Sequence, residues 1–331
     1  MKVVYSARYH IDIGPHVFPT LKYRLVYDAI RGRESFFQND SRPRFVEPEA
    51  ASWDELALVH TAEYLSKMRD GALSDEDVAQ LELPWSQEMV DGFRLMAGGT
   101  IDAACLACGI SRRDDETPRA LSTQRNAFSA DSASSAFSVA AHIGGGLHHA
   151  FPNHGEGFCP FNDVAVAVRV LQQRGIERVA IVDLDVHHGN GTAFIFNPRG
   201  AEGDPHVFTF SMHQQHNYPM WKPRSSLDIG LADGVHDATY LRELERALPA
   251  VMAHRPQCVF YLAGADPYEE DQLGGLRLTK DGLRARDRLV VRAARTAGCA
   301  LVVTLAGGYA RKVEDTVAIH AATIEEAASH W

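Results

Sequence analysis

The sequence predicts an α/β fold, a mostly parallel sheet covered by helices on both faces. Two observations carry the prediction. Short, continuous apolar runs rich in β-branched residues recur along the chain, the signature of strands buried on both faces. Helical stretches separate them, which is the alternation a parallel sheet requires. The chain is 331 residues long, no Pro/Ser/Gly-rich linker divides it and no internal repeat is detectable, so one catalytic-size domain over 1–331 is expected.

In chain order, Met1-Lys2-Val3-Val4-Tyr5-Ser6 begins a strand, not a signal peptide. An Ala-rich helical stretch ending near Ile110 holds Cys105 and Cys108, read as packing residues because no second Cys pair accompanies them. Ala136 to Ile143 reads as a strand and Asp163 to Gln173 as a helix. Val179-Ala180-Ile181-Val182 is a buried strand, Asp237 to Ala253 a helix, and Cys258 to Ala263 and Ala300 to Ala306 are two further buried strands. Five cysteines make no disulfide framework in a chain of this size. The formal charge is −10, with no basic tail or arginine stripe, so nucleic acid is an unexpected partner and a cationic substrate a suitable one. No apolar run is long enough to span a bilayer, and a cytoplasmic location is the default expectation.

Glycine follows several of these strands, and beside it stand side chains that bind metals or move protons. After Val182 comes Asp183-Leu184-Asp185-Val186-His187-His188-Gly189-Asn190. Along a strand side chains alternate, so Asp183, Asp185 and His187 project to one face and Leu184 and Val186 to the other, and three ionisable groups on one face demand a cation or hydrogen-bond partners. A catalytic metal site needs three protein ligands and an open position, so a third is required. Asp266, in Gly264-Ala265-Asp266 after another strand, is the candidate, although such a sequence is also common in turns and helix caps. His148 and His149 follow Gly145-Gly146-Leu147. Two imidazoles there could take a proton from water and stabilise developing charge, or could occupy an ordinary surface loop. Tyr309, after Gly307-Gly308, could donate to a carbonyl oxygen as it becomes an oxyanion, or pack at a strand end.

These segments, in this order, resemble the zinc-dependent histone deacetylase superfamily. The resemblance extends through Pro15-His16-Val17-Phe18-Pro19, Val59 to Tyr64, Leu83-Pro84-Trp85-Ser86 and Gly157 to Asp163, and covers nearly the whole chain. The Phe18-Pro19 opening, His187-His188-Gly189-Asn190 and Gln272-Leu273-Gly274-Gly275-Leu276 are closest to class IV deacetylases and their bacterial relatives. The resemblance implies a three-layer α/β/α, arginase-like architecture. It assigns Asp185, His187 and Asp266 to one Zn2+, with Fe2+ a competitor for a site of two carboxylates and one imidazole. It makes His149 the general base and acid, His148 its electrostatic partner held by Asp183, and Tyr309 the carbonyl polariser. Asn190 stands where class I members carry an aspartate, so His149 should be the weaker base. A structural monovalent cation such as K+ is implied near Asp183, Asp185, His187 and Ser211.

The resemblance also implies a narrow tunnel walled by Gly157 and Phe158, with Leu273 lining it. Tyr218, in the loop Met212 to Pro219, is the candidate for the opposite wall, with His213 and His216 as alternatives. Cys159 beside it is a buried hydrophobe or an oxidation-sensitive thiol. Acylated lysine in a peptide or protein is the expected substrate, and an acylated small amine such as a polyamine the alternative. For the latter, Glu269, Glu270 and Asp271 are the acidic cluster expected near the mouth. A non-catalytic scaffold would not need both histidines and Tyr309, and a binuclear manganese hydrolase would need more bridging aspartates. Residues 111–136, where relatives have a short turn, form an insert expected on the side of the sheet opposite the ligand edge, as a homo-oligomer contact or surface loop.

Overall fold

A computed structural model describes residues 1–32, 44–112, 137–197 and 203–331. Its eight strands are β1 (Lys2–Val4), β2 (Arg44–Val46), β3 (Val139–His142), β4 (Val179–Asp183), β5 (Val207–Gln214), β6 (Leu227–Leu231), β7 (Cys258–Leu262) and β8 (Ala300–Thr304). They form one sheet in the order β2-β1-β3-β8-β7-β4-β5-β6, and every pairing is parallel. The expectation of a mostly parallel sheet is met and exceeded.

The central strands are apolar on both faces because helices cover both. All five residues of β4, β7 and β8 are buried. Two helices have the bounds that the sequence predicts, Asp163–Gln173 and Asp237–Ala253. Asn162 caps the first by accepting from the Ala165 amide at 2.9 Å. The helix Gln87–Cys108 buries Cys105 and Cys108 in the core, where burial pushes the Cys105 thiol up to about 12. Of the insert, residues 113–136 lie outside the described residues. Among the described residues no helix is long and apolar enough to cross a membrane.

Three local readings are corrected. Strand β4 ends at Asp183, so Asp185 and His187 sit on a loop and not on one face of an extended strand. Met212, His213 and Gln214 end strand β5 and are not part of a loop. Strands β2 and β6, at the two edges of the sheet, have no counterpart in the sequence reading.

Beneath the C-terminal end of β7, the helix Lys280–Ala297 buries Arg286 completely. Its Nη1 donates to the Gly264 carbonyl at 2.6 Å, and its Nη2 to Asp287 Oδ1 at 2.8 Å. Asp287 also accepts from the Tyr261 hydroxyl at 2.5 Å and the Thr323 hydroxyl at 2.7 Å. Removing one partner of a buried pair strands the other charge, whereas removing both need not. Arg286→Met is therefore expected to cost about 3–5 kcal/mol in urea unfolding. Arg286→Met combined with Asp287→Leu should cost less, and equal costs would mean that the pair is not coupled.

Candidate active site

In a parallel sheet all C-terminal ends lie on one edge, and that is where crevices form. The four neighbours β3, β8, β7 and β4 deliver His148/His149, Tyr309, Asp266 and Asp185/His187, in that order across the sheet. The sequence-predicted residues therefore converge from segments far apart in the chain.

Asp185, His187 and Asp266 each place one ligand atom within 4.8 Å of the others, and all three residues are buried. His187 Nδ1 lies 3.0 Å from Asp185 Oδ1 and 3.4 Å from Asp266 Oδ2. The remaining carboxylate oxygens are held by backbone: Asp185 Oδ2 accepts from the Gly307 amide at 2.8 Å, and Asp266 Oδ1 from the Val186 amide at 2.9 Å. Asp266 Oδ2 has no hydrogen-bond partner although it is buried. Burial, then the Asp185 carboxylate, pushes Asp266 up to about 7. Burial also opposes ionisation of Asp185, but the His148 and His187 imidazoles outweigh it and hold that carboxyl well below its ordinary range. A divalent cation fits this donor set: it would satisfy the orphaned oxygen and offset two carboxylates in a dry pocket. Gly307 is required here, since a Cβ would lie 2.0 Å from Asp266 Oδ2.

Next to this cluster stand the two histidines. His148 Nδ1 donates to Asp183 Oδ2 at 2.7 Å. Burial disfavours its charge, but Asp183 and then Asp185 override that and raise it to about 9. His149 Nδ1 donates to Asn190 Oδ1 at 2.7 Å, and the two Nε2 atoms are 3.1 Å apart. Burial, with the charges on His148 and His187, pulls His149 well below its ordinary value. Two adjacent imidazoles are thus held in opposite states, one cationic and one neutral, which is the arrangement acid–base chemistry needs.

Tyr309 faces the pair across a chamber of about 20 Å3, lined also by His148, His149, Asp185 and His187. That volume holds little more than one water. Outside it lies a larger cavity of about 180 Å3 whose walls include Phe158, Tyr218, Gly157 and Leu273. Tyr309, His149, His187, Gly157 and Phe158 line both spaces, so they form the neck between them. Gly157 has φ +52°, and a Cβ there would come within 2.8 Å of His149 and 3.0 Å of Tyr218. Tyr218, and neither alternative histidine, forms the opposite wall: His213 is buried against His188, with ring centroids 4.6 Å apart, and His216 is exposed. Ser211 pairs in register with Asp183, and its hydroxyl lies 3.0 Å from His213 Nδ1. Burial pushes the Cys159 thiol well up, which suits packing and not reactivity.

Of the acidic cluster, Asp271 is not a solvated charge at the mouth. Asp271 is buried and accepts from the Tyr309, Leu273 and Gly274 amides at 2.7, 2.8 and 3.0 Å, so it shapes the loop under Tyr309. The carboxylates at the outer cavity are Glu82, on its wall, and Glu156, which accepts from the Tyr218 hydroxyl at 3.1 Å. Sequence reasoning missed both, and it missed Lys22. Lys22 is fully buried and donates to the Ala306 carbonyl at 2.9 Å, and burial lowers it to about 8 against the pull of Asp266 and Asp185. A signal existed, since Lys22 lies four residues before Val26 and eight before Ile30 on the buried face of the helix Leu21–Arg31.

Residues 16–324 match the family model described as the histone deacetylase domain. An uncharacterised protein of Picosynechococcus is 37% identical over 326 residues, which are 96% of this chain and 95% of that protein. A histone deacetylase-like amidohydrolase of Pseudomonas aeruginosa is 34% identical over 277 residues, 78% of this chain and 64% of its own. The crystal structure of the HDA15 HD domain superposes with a TM-score of 0.70 at 22% identity, covering 99% of this chain and 88% of that one, and shares its fold.

Proposed function

This chain belongs to the histone deacetylase family, and on that premise we propose that it is a zinc-dependent amidohydrolase removing acetyl or longer acyl groups from the ε-amine of lysine. The observation that carries the reading is the neck. An apolar-walled passage between Phe158 and Tyr218 leads to a chamber where a cationic and a neutral imidazole face a tyrosine hydroxyl beside a cation-ready cluster. Aromatic walls suit a methylene stem, and the neck brings the carbonyl up to the imidazoles, Tyr309 and the cation-ready cluster.

A divalent ion held by Asp185, His187 and Asp266 would polarise the carbonyl and acidify water, with zinc favoured and ferrous iron compatible with the donors. The chain's own groups account for the rest. His149 Nε2 takes a proton from the attacking water as its oxygen bonds to the carbonyl carbon. The His148 imidazolium, fixed by Asp183, stabilises the negative charge that develops. Tyr309 donates to the carbonyl oxygen as it becomes an oxyanion. The C–N bond then breaks, His149 returns the proton to the departing amine, and the carboxylic acid that is left passes its own proton to that amine, giving a carboxylate and an ammonium. Phe18-Pro19 and Gln272 to Leu276 support a class IV assignment.

Glu82 favours a second reading, deacetylation of small amines such as polyamines, because its carboxylate on the cavity wall could meet a distal ammonium. A panel of acyl-lysine peptides and acylated polyamines, short to long acyl chains, assayed with the metal-loaded protein and its Glu82→Gln variant separates the two. Peptide turnover should dominate, and Glu82→Gln should lower polyamine turnover about three- to tenfold more than peptide turnover, as for one partly exposed ion pair worth roughly 1 kcal/mol. Dominant polyamine activity that collapses in Glu82→Gln, with negligible peptide activity, promotes the second reading.

A further inference from the structure

On the far side of Asn190 from His149 stands the carboxylate of Glu156. Asn190 Nδ2 donates to Glu156 Oε1 at 2.6 Å, while Asn190 Oδ1 accepts from His149 Nδ1 at 2.7 Å. Asn190 is 1% exposed, and the Glu156 side chain retains 14% of its exposure. Gln80 Nε2 donates to Glu156 Oε2 at 3.2 Å, and His154 Nε2 lies 3.4 Å from that oxygen. Tyr218 donates to Oε1. Burial alone would raise the Glu156 carboxyl, but these partners outweigh it and hold the group below its ordinary value.

An amide has a donating end and an accepting end, and a carboxylate only accepts. Ionised Glu156 therefore forces Asn190 Nδ2 to face it, which turns Oδ1 toward His149. Because Oδ1 only accepts, His149 must carry its proton on Nδ1, which leaves its Nε2, 3.1 Å from His148 Nε2, as the unprotonated nitrogen. Without a charged acceptor behind it, the amide could flip, present Nδ2 to the imidazole and place the proton on the wrong nitrogen.

We propose that Glu156 is a positioning residue for His149: through Asn190 it fixes the imidazole tautomer and supplies, two hydrogen bonds away, the negative charge that a carboxylate in direct contact would otherwise bring. Asn190 then needs no charge of its own. The consequence for turnover rests on the deacylase reading above, whereas the tautomer does not.

The decisive variant is Glu156→Gln, which keeps the size of the side chain and removes its charge. In 15N NMR of histidine-labelled protein, with His149 assigned by the signals lost in His149→Ala, the wild type should show a protonated Nδ1 and an unprotonated Nε2. Glu156→Gln should show a mixture of tautomers. Its kcat should fall on the order of ten- to a hundredfold, as for removing a partner that orients a site imidazole, with KM within about threefold and metal content unchanged. Asn190→Asp in the Glu156→Gln background puts a carboxylate against His149, one to which the introduced amide can also donate, and should restore most of kcat and the single tautomer. Gln80→Leu removes only a hydrogen bond to the other Glu156 oxygen and should leave the 15N pattern alone. A single unchanged tautomer with wild-type kcat in Glu156→Gln overturns the proposal, as does an equal kcat loss in Gln80→Leu. A wild type that hydrolyses no acyl-amine overturns the deacylase reading instead, and the 15N comparison still decides the role of Glu156.

Discussion

Alanine in place of Asp185, His187 or Asp266 is expected to abolish tight binding of one divalent ion per chain and nearly all hydrolysis. The two ligands that remain cannot hold the ion against water. Elemental analysis checks this, and full metal content in any one variant removes that residue from the site. The same cluster makes a prediction about pH. Asp266 is pushed up to about 7 by burial and by Asp185, so a proton competes for the ligand below that value and metal affinity should fall as pH drops through 7. In the metal-free protein the sign for stability follows from a folded-state value above the ordinary one. The contribution of Asp266 is fully present below about pH 4 and is lost as pH rises through about 7. Metal-free Asp266→Asn should therefore melt higher than metal-free wild type at pH 8, although it binds no ion. A lower melting temperature would mean that the carboxylate is compensated without metal.

Tyr309→Phe should leave metal content and affinity for a hydroxamate chelator within several-fold of wild type and lower kcat on the order of a hundredfold or more, as for one lost oxyanion donor. The structure makes this a clean deletion. The loop at Tyr309 is held through its backbone amide by Asp271, and the ring packs near Phe158 and Phe18, with centroids 6.2 and 6.4 Å away. None of these contacts uses the hydroxyl. Turnover near the wild-type rate would assign the oxyanion to another donor.

Much of this was legible in residue order. A buried strand advertises itself by continuous β-branched and apolar residues, and β4, β7 and β8 did so. Strands β5 and β6 were weaker signals. In β5 the residues Val207, Thr209, Ser211 and His213 alternate with Phe208, Phe210 and Met212, a period of two obscured by the histidine-rich continuation. β6 is a short edge strand whose exposed alternate positions read as loop. The acidic cluster after Asp266 illustrates another limit. Asp271 is a carboxylate in a polar stretch, and only its three backbone donors reveal a bracket where composition suggested a solvated charge.

The sequence by itself determined which chemical groups stand at which strand ends, because strand propensity, glycine and side-chain chemistry are local properties. It also determined that two carboxylates and an imidazole needed a partner, because burial of charge carries its cost wherever it occurs. Only the tertiary structure decided who meets whom. The strand order β3-β8-β7-β4 brings Gly307 onto Asp185 across 122 residues and Asn190 between His149 and Glu156. That order is set by the packing of whole helices on a whole sheet, and no local propensity encodes it.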